Sequence, residues 1–166
     1  MFVFLFLAAL YESWTVPLAV LLSLPVAALG AYLGEWAFGL ENDVYFQIGL
    51  VMLMGMAAKN AILIVEYAKE QTDKGEDAMK AAVYASRLRF RPIVMTSLAF
   101  ILGMVPMVFA SGPGSASRQA IGTGVFFGMI FAVAFGILLV PFFFVIIKNA
   151  LVAKRWHSIF SFLKGR

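Results

Sequence analysis

Residues 44–70, VYFQIGLVMLMGMAAKNAILIVEYAKE, decide the fold because they contain an apolar segment long enough to cross a bilayer. From residue 44 to residue 65 every side chain is apolar except Gln47, Lys59 and Asn60. At about 1.5 Å per residue, these 22 residues match the roughly 30 Å hydrocarbon layer of a membrane. We therefore predict a membrane-spanning α-helix here, with one cation inside it.

Lys59 is the most informative residue of this segment. It lies about seven residues, roughly 10 Å, from Glu66 at the charged end, so we expect its ammonium to fall short of bulk water. An unpaired cation at that depth costs on the order of 3 kcal/mol, which predicts a stabilising partner. We interpret Lys59 as an ion-coupling residue, the alternative being a lysine that extends to the interface. Asn60 either orients the ammonium or packs between helices.

The composition of the chain excludes several classes of protein. A hydrophobic fraction of 63%, with 13% charged residues and a mean hydropathy of +0.93, indicates an integral membrane protein. Without cysteine, and with the lone His157 outside any cluster, neither a disulfide nor a metal site is expected. The net charge of +4 comes from basic residues that flank apolar spans, which is not the pattern of a nucleic-acid-binding protein.

Hydropathy along the chain predicts an all-α, polytopic membrane helix bundle within residues 1–148. We expect a truncated N-terminal span and four full spans, at about residues 1–11, 14–33, 44–65, 93–110 and 121–147. Residues 34–43 form an acidic loop, in which Asn42 or Asp43 caps the next helix. Residues 76–91 have an apolar face and predict a separate helix on the membrane surface.

A stripe of small residues marks the last predicted span. These residues recur every four positions, which suits a close crossing with another helix: Gly124, Gly128, Ala132 and Gly136.

The distribution of lysine and arginine predicts the orientation. Residues 66–91 hold six and the segment from Lys148 onward holds five, against one in 111–120 and none in 34–43. Both basic segments are therefore expected in the cytoplasm, including the C-terminal tail at 149–166. Five crossings with a cytoplasmic end place the start of the first span outside.

Three further residues are candidates for proton chemistry. Arg89 and Thr96 are seven residues apart and lie along one helical stripe, which could face Lys59. Arg89 has an alternative role as a lipid anchor beside two other arginines, and a membrane threonine usually bonds its own backbone. Glu66 is either part of a proton exit path or a solvated interface charge. Because none of the predicted spans contains an aspartate or glutamate at depth, the proton-carrying carboxylates must lie on another segment.

Four stretches resemble the resistance-nodulation-cell division (RND) transporters, most closely the inner-membrane pumps of the hydrophobe/amphiphile efflux branch. They are AALYESW (8–14), NDVYFQIGL (42–50), AAKNAILIVEYAKE (57–70) and RPIVMTSLAFILGMVP (91–106). The resemblance implies a protomer with twelve membrane helices, of which this chain would contain the end of the eighth through the twelfth. Lys59, Arg89 and Thr96 match the lysine, arginine and threonine of the family's proton relay. The relay's two aspartates would lie in a missing N-terminal half.

The resemblance also implies a function and a setting. The expected whole protein is a drug/proton antiporter of the bacterial inner membrane that exports antibiotics and other amphiphiles, with no cofactor and no enzymatic chemistry. It would act as a homotrimer together with a periplasmic adaptor protein and an outer-membrane channel, within the lipid bilayer.

Two alternatives remain open at this point. The chain could be an inert truncated fragment without transport of its own, or part of an RND branch that exports metal ions or lipids. Methionines would suit a metal exporter, but Met52, Met54 and Met56 cannot share one helical face at a spacing of two. Core packing explains them better.

Overall fold

The computed structural model describes Ala9 and residues 16–164, with side chains described for residues 17–148. The described residues form four α-helices and no strand. They are α1 (Val16–Phe38), α2 (Val44–Asp73), α3 (Ala78–Val108) and α4 (Ser115–Lys164). All four are long and apolar enough to cross a membrane, which confirms the predicted all-helical membrane fold. The truncated span at 1–11 lies outside the described residues, Ala9 excepted.

The four helices pack with α2 and α4 at the centre. α4 contacts the other three helices, α2 contacts α1 and α3 as well, and the described parts of α1 and α3 do not contact each other. Short connections at 39–43, 74–77 and 109–114 reverse the chain each time, so consecutive helices are antiparallel. α1 and α3 therefore lie on opposite sides of a central pair formed by α2 and α4.

The loop between α1 and α2 is shorter than predicted. α1 continues to Phe38, where Gly39 adopts a φ of 63° and the N–H of Leu40 donates to the carbonyl of Glu35 at 3.1 Å. Asp43 then caps α2, because its Oδ1 accepts a hydrogen bond from the N–H of Phe46 at 2.8 Å. The acidic segment predicted as a loop at 34–43 is thus partly helical, and Glu35 belongs to the last turns of α1.

α2 is uninterrupted over its 30 residues, and it contains no proline. The other three helices do contain proline, at Pro25, Pro92, Pro106 and Pro141. α2 ends in a turn where Gly75 has a φ of 99°. There, the exposed Lys74 donates to Glu70 at 2.7 Å, and this hydrogen bond raises the pKa of the Lys74 ammonium above its ordinary value.

The surface helix predicted at 76–91 and the span predicted at 93–110 are one element in the structure. α3 runs through Pro92 without a break, although proline removes one backbone hydrogen bond from a helix. Buried residues on both sides of Pro92 account for this: Ala81, Ala82, Ala85, Ile93 and Ser97. Because both halves of α3 pack against the rest of the bundle, this packing offsets the lost hydrogen bond.

The core lies where α4 meets its neighbours, and glycines allow the close approach. A Cβ added at Gly124 would lie 2.6 Å from a ring carbon of Phe46 on α2, and one at Gly128 would lie 3.0 Å from the carbonyl oxygen of Ala27 on α1. Ala132 is partly buried and packs against the same core. A Cβ at Gly136 would meet nothing within 4 Å. The close contacts of the small-residue stripe are therefore at Gly124 and Gly128.

Candidate functional site

Lys59 lies on the surface of this bundle. Its neighbours Ala57 and Ala61 are buried, whereas the Lys59 side chain is exposed and makes no hydrogen bond or ion pair with the residues that the structure describes. The buried ammonium that we expected is thus not enclosed by this chain. The physical reason is the helical repeat. Ala57 and Ala61 are four residues apart and lie on the buried face of α2, whereas Lys59 is two residues from each and lies on the opposite face. Any acidic partner has to approach Lys59 from outside the four helices.

Asn60 connects α2 to α3. Its Nδ2 donates to Oγ of Ser97 at 3.3 Å, and Ser97 is only 1% exposed. Ser97 was not among the residues predicted to matter, and its one signal in the sequence is a second hydroxyl directly after Thr96. The bond shows that Asn60 and Ser97 lie on the faces where the two helices meet. The directions of the neighbouring residues Lys59 and Thr96 follow from these two positions.

Lys59 and Thr96 project on the same side of the α2–α3 pair. Each is the residue immediately before a member of the Asn60–Ser97 bond, and so each is rotated by about 100° from the facing position. The two helices are antiparallel, so when both are viewed from one end, the preceding residue is rotated clockwise in one helix and anticlockwise in the other. Both side chains therefore point to the same side of the pair. Both residues are exposed. We call this surface, defined by Lys59 and Thr96, the open face.

The hydroxyl of Thr96 is bonded within its own helix. It donates toward the carbonyls of Pro92 at 3.0 Å and Ile93 at 3.1 Å, which is the alternative we considered for a membrane threonine. The structure therefore places Thr96 on the open face beside Lys59 without a hydrogen bond between them.

Arg89 differs from the two arginines beside it. Arg87 and Arg91 are exposed, while Arg89 is partly buried and its guanidinium carbon lies 5.6 Å from the ring centroid of Tyr67 on α2. This distance is within the range of a cation–π contact. Its Nε is buried and has no hydrogen-bond partner among the described residues. Tyr67 thus holds Arg89 against α2, and the guanidinium retains an unused donor.

Two acidic residues, Glu66 and Glu35, differ in their exposure. Glu66 is exposed and lies two turns beyond Lys59 toward the 74–77 turn, so it belongs to the solvated end of α2. Glu35, by contrast, is only 5% exposed, and sequence reasoning missed it because residue 35 was assigned to a loop. Within the part of the chain that the structure describes, no group of three His, Cys, Asp or Glu side chains could hold a metal ion.

The fold and the open face define a class of protein: a polytopic helical membrane protein with a cation on the side of its central helix. A model of the AcrB/AcrD/AcrF family matches residues 1–148. The chain belongs to this family, which confirms the resemblance to RND efflux transporters.

Similar proteins include two curated efflux transporters. The toluene efflux pump membrane transporter TtgB of Pseudomonas putida is 54% identical over 155 residues, which cover 93% of this chain and 15% of that protein. The multidrug resistance protein MdtF of Escherichia coli is 52% identical over 148 residues, covering 89% of this chain and 14% of that protein. The chain therefore spans about one seventh of the length of these relatives.

Proposed function

We propose that this chain is the C-terminal membrane part of a proton-driven drug/proton antiporter, the inner-membrane component of a tripartite efflux pump. The single observation that carries the proposal is the open face, where Lys59 and Thr96 are exposed together at mid-bundle. An exposed ammonium in an apolar span needs an acidic partner, and the residues that the structure describes supply none there. Carboxylates from a segment outside this chain, the missing N-terminal half, would complete the site.

The proposed mechanism depends on the protonation of those carboxylates. While they are ionised, they attract Lys59 as an ion pair. When protons from outside neutralise them, Lys59 loses that attraction and turns toward Asn60 or Thr96, and the helices shift. Each proton that moves down about 100 mV releases roughly 2.3 kcal/mol for this work. No covalent bond forms or breaks.

The contacts between α2 and α3 support a coupled movement of these helices. The Asn60–Ser97 hydrogen bond at 3.3 Å and the contact of Arg89 with Tyr67 at 5.6 Å join the pair at two levels. A force on Lys59 would therefore displace α3 together with α2. Arg89, with its free buried Nε, would take a further acceptor from the segment that completes the site.

The names of the relatives support the proposed substrates, and the resemblance to RND transporters supports the proposed partners. TtgB is named for toluene efflux and MdtF for multidrug resistance, so amphiphilic or apolar compounds are the proposed cargo. A homotrimer, a periplasmic adaptor protein and an outer-membrane channel are the proposed assembly, in a bacterial inner membrane with the C-terminus in the cytoplasm. Because the chain is about one seventh of a relative's length, we expect no transport from this chain alone.

A segment exchange tests the proposal. The matching segment of TtgB is replaced by this chain in a drug-hypersensitive host, and efflux of a fluorescent amphiphile is measured at equal expression. The exchanged pump should export the dye, and a protonophore should stop the export. Lys59→Ala should reduce efflux to the level of the empty host, whereas Lys80→Ala, at an exposed lysine of α3, should leave it unchanged. Unchanged efflux with Lys59→Ala would remove Lys59 from the mechanism.

A further inference from the structure

Glu35 is a buried carboxyl group at the end of the bundle opposite the 74–77 turn. It lies in the last turns of α1, with only 5% of its surface exposed. Its Oε1 is buried and has no hydrogen-bond partner among the described residues. The proposed antiport mechanism does not use this group. This burial comes from the helices of this chain, so Oε1 is covered whatever else packs around the bundle.

Three features of the site disfavour a negative charge on Glu35. Removing a carboxylate from water without a hydrogen bond or counter-ion is costly, and such a group usually becomes neutral instead. Asp43 acts on it as a like charge from the N-terminus of α2, where its carboxylate accepts the hydrogen bond from Phe46. The C-terminal end of α1, three residues farther on at Phe38, adds the negative end of the helix dipole.

The cations near this end of the bundle do not compensate. Arg118, in the first turn of α4, is exposed and donates to the carbonyl of Pro113 at 2.8 Å. Glu41, in the connecting loop, is exposed and carries another negative charge. The described part of α3 does not contact α1. Among the described groups, no cation therefore offsets the negative charge of Asp43.

We propose that Glu35 is a proton-binding site. Its carboxyl group carries a proton at neutral pH and exchanges it with the solution at the 39–43 loop. The distribution of basic residues predicts that this loop lies outside the cell, on the side from which protons would enter. Glu35 lies near the C-terminal end of α1, whereas Lys59 lies in the middle of α2. Proton binding at Glu35 therefore does not depend on the proposed antiport mechanism.

Chemical labelling tests this assignment on the wild-type chain in vesicles of neutral phospholipid. A lipid-soluble carbodiimide reacts with protonated carboxyl groups in apolar surroundings, and mass spectrometry locates the modified residue. At neutral pH we expect several-fold more label on Glu35 than on the exposed Glu41. The label on Glu35 should decline only as the pH is raised above neutrality. A water-soluble carbodiimide should show the opposite preference.

Two variants complete the experiment. Glu35→Gln keeps the size of the side chain and should remove the label, while Glu41→Gln should leave the labelling of Glu35 unchanged.

The assignment would be overturned if Glu35 and Glu41 took up label with the same pH dependence. The labelling map is made on the wild type, so this outcome remains decisive even if Glu35→Gln does not fold. If the exchanged pump exported no dye while Glu35 took up the lipid-soluble label as expected, only the antiport proposal would be contradicted.

Discussion

The contact surface between α1 and α4 and the open face of the α2–α3 pair differ in how they are completed. Between α1 and α4, the rings of Phe127 and Phe131 occupy the space that side chains at Gly34 and Gly30 would take. On the open face, Lys59 and Thr96 are exposed. The first region is completed by this chain, whereas the second would be completed by another segment under the proposed function. Stability should therefore depend on the first region and transport on the second.

The largest effect on stability is expected between α1 and α4. A Cβ at Gly34 would lie 2.6 Å from Cβ of Phe127, which is too close for either helix to remain in place. Gly34→Ala should therefore lower the free energy of unfolding by about 1–3 kcal/mol. Gly136→Ala is the matched control, because it meets nothing within 4 Å and should raise stability by about 0.5–1 kcal/mol. Denaturant unfolding in detergent micelles measures both, and equal effects would contradict the packing described here.

The hydrogen bond between α2 and α3 should give the next largest effect. Ser97→Ala leaves the half-buried amide of Asn60 without its partner and should cost about 1 kcal/mol. Thr96→Ala, one residue away, removes an exposed hydroxyl bonded to its own helix and should change stability by less than about 0.5 kcal/mol. A double-mutant cycle with Asn60→Ala isolates the bond, and additive losses would show that Asn60 and Ser97 do not interact.

The contact of Arg89 with Tyr67 should contribute less. Tyr67→Phe keeps the ring and should be nearly neutral, whereas Tyr67→Leu should cost about 0.5–1 kcal/mol through the lost cation–π contact. The same comparison on an Arg89→Gln background separates this contact from packing against Tyr84, whose ring centroid lies 6.1 Å from that of Tyr67. If Tyr67→Leu costs as much without Arg89, packing alone explains the contact.

The smallest loss of stability is expected at Lys59 itself. Its side chain is exposed and makes no hydrogen bond or ion pair with the described residues, so Lys59→Met removes no contact within the bundle and should not lower the free energy of unfolding of this chain. In the exchanged pump the same substitution should abolish efflux. A large loss of stability in the isolated chain would mean that Lys59 has a partner within these four helices, and the contrast between the two regions would fail.

Much of the fold could be predicted from the sequence because it depends on local pattern. The apolar lengths along the chain predicted the four full spans, while the truncated span at 1–11 lies outside the described residues, Ala9 excepted. Asp43, which caps α2, was one of the two capping residues expected. Two boundaries were placed wrongly for a shared reason. Packing keeps residues 34–38 in α1, and it carries α3 through Pro92, so tertiary contacts extended helices beyond their local signals.

The candidate site was harder to predict because it depends on which way each side chain points. The sequence indicated Lys59, Arg89 and Thr96 as a group, but not that Lys59 would be exposed and Arg89 held by Tyr67. Ser97 and Glu35 were missed. Ser97 is bonded to Asn60, 37 residues earlier in the chain, and residue 35 was assigned to a loop, so a span-by-span analysis identified neither.

The absence of proline from α2 has a mechanical consequence. A proline lets a helix bend locally, because it leaves one carbonyl without its donor, and α1, α3 and α4 each contain such a position. α2 has none across 30 residues, or about 45 Å. A displacement applied to Lys59 would thus travel to both ends of α2 as in a stiff rod, while the neighbouring helices flex to accommodate it.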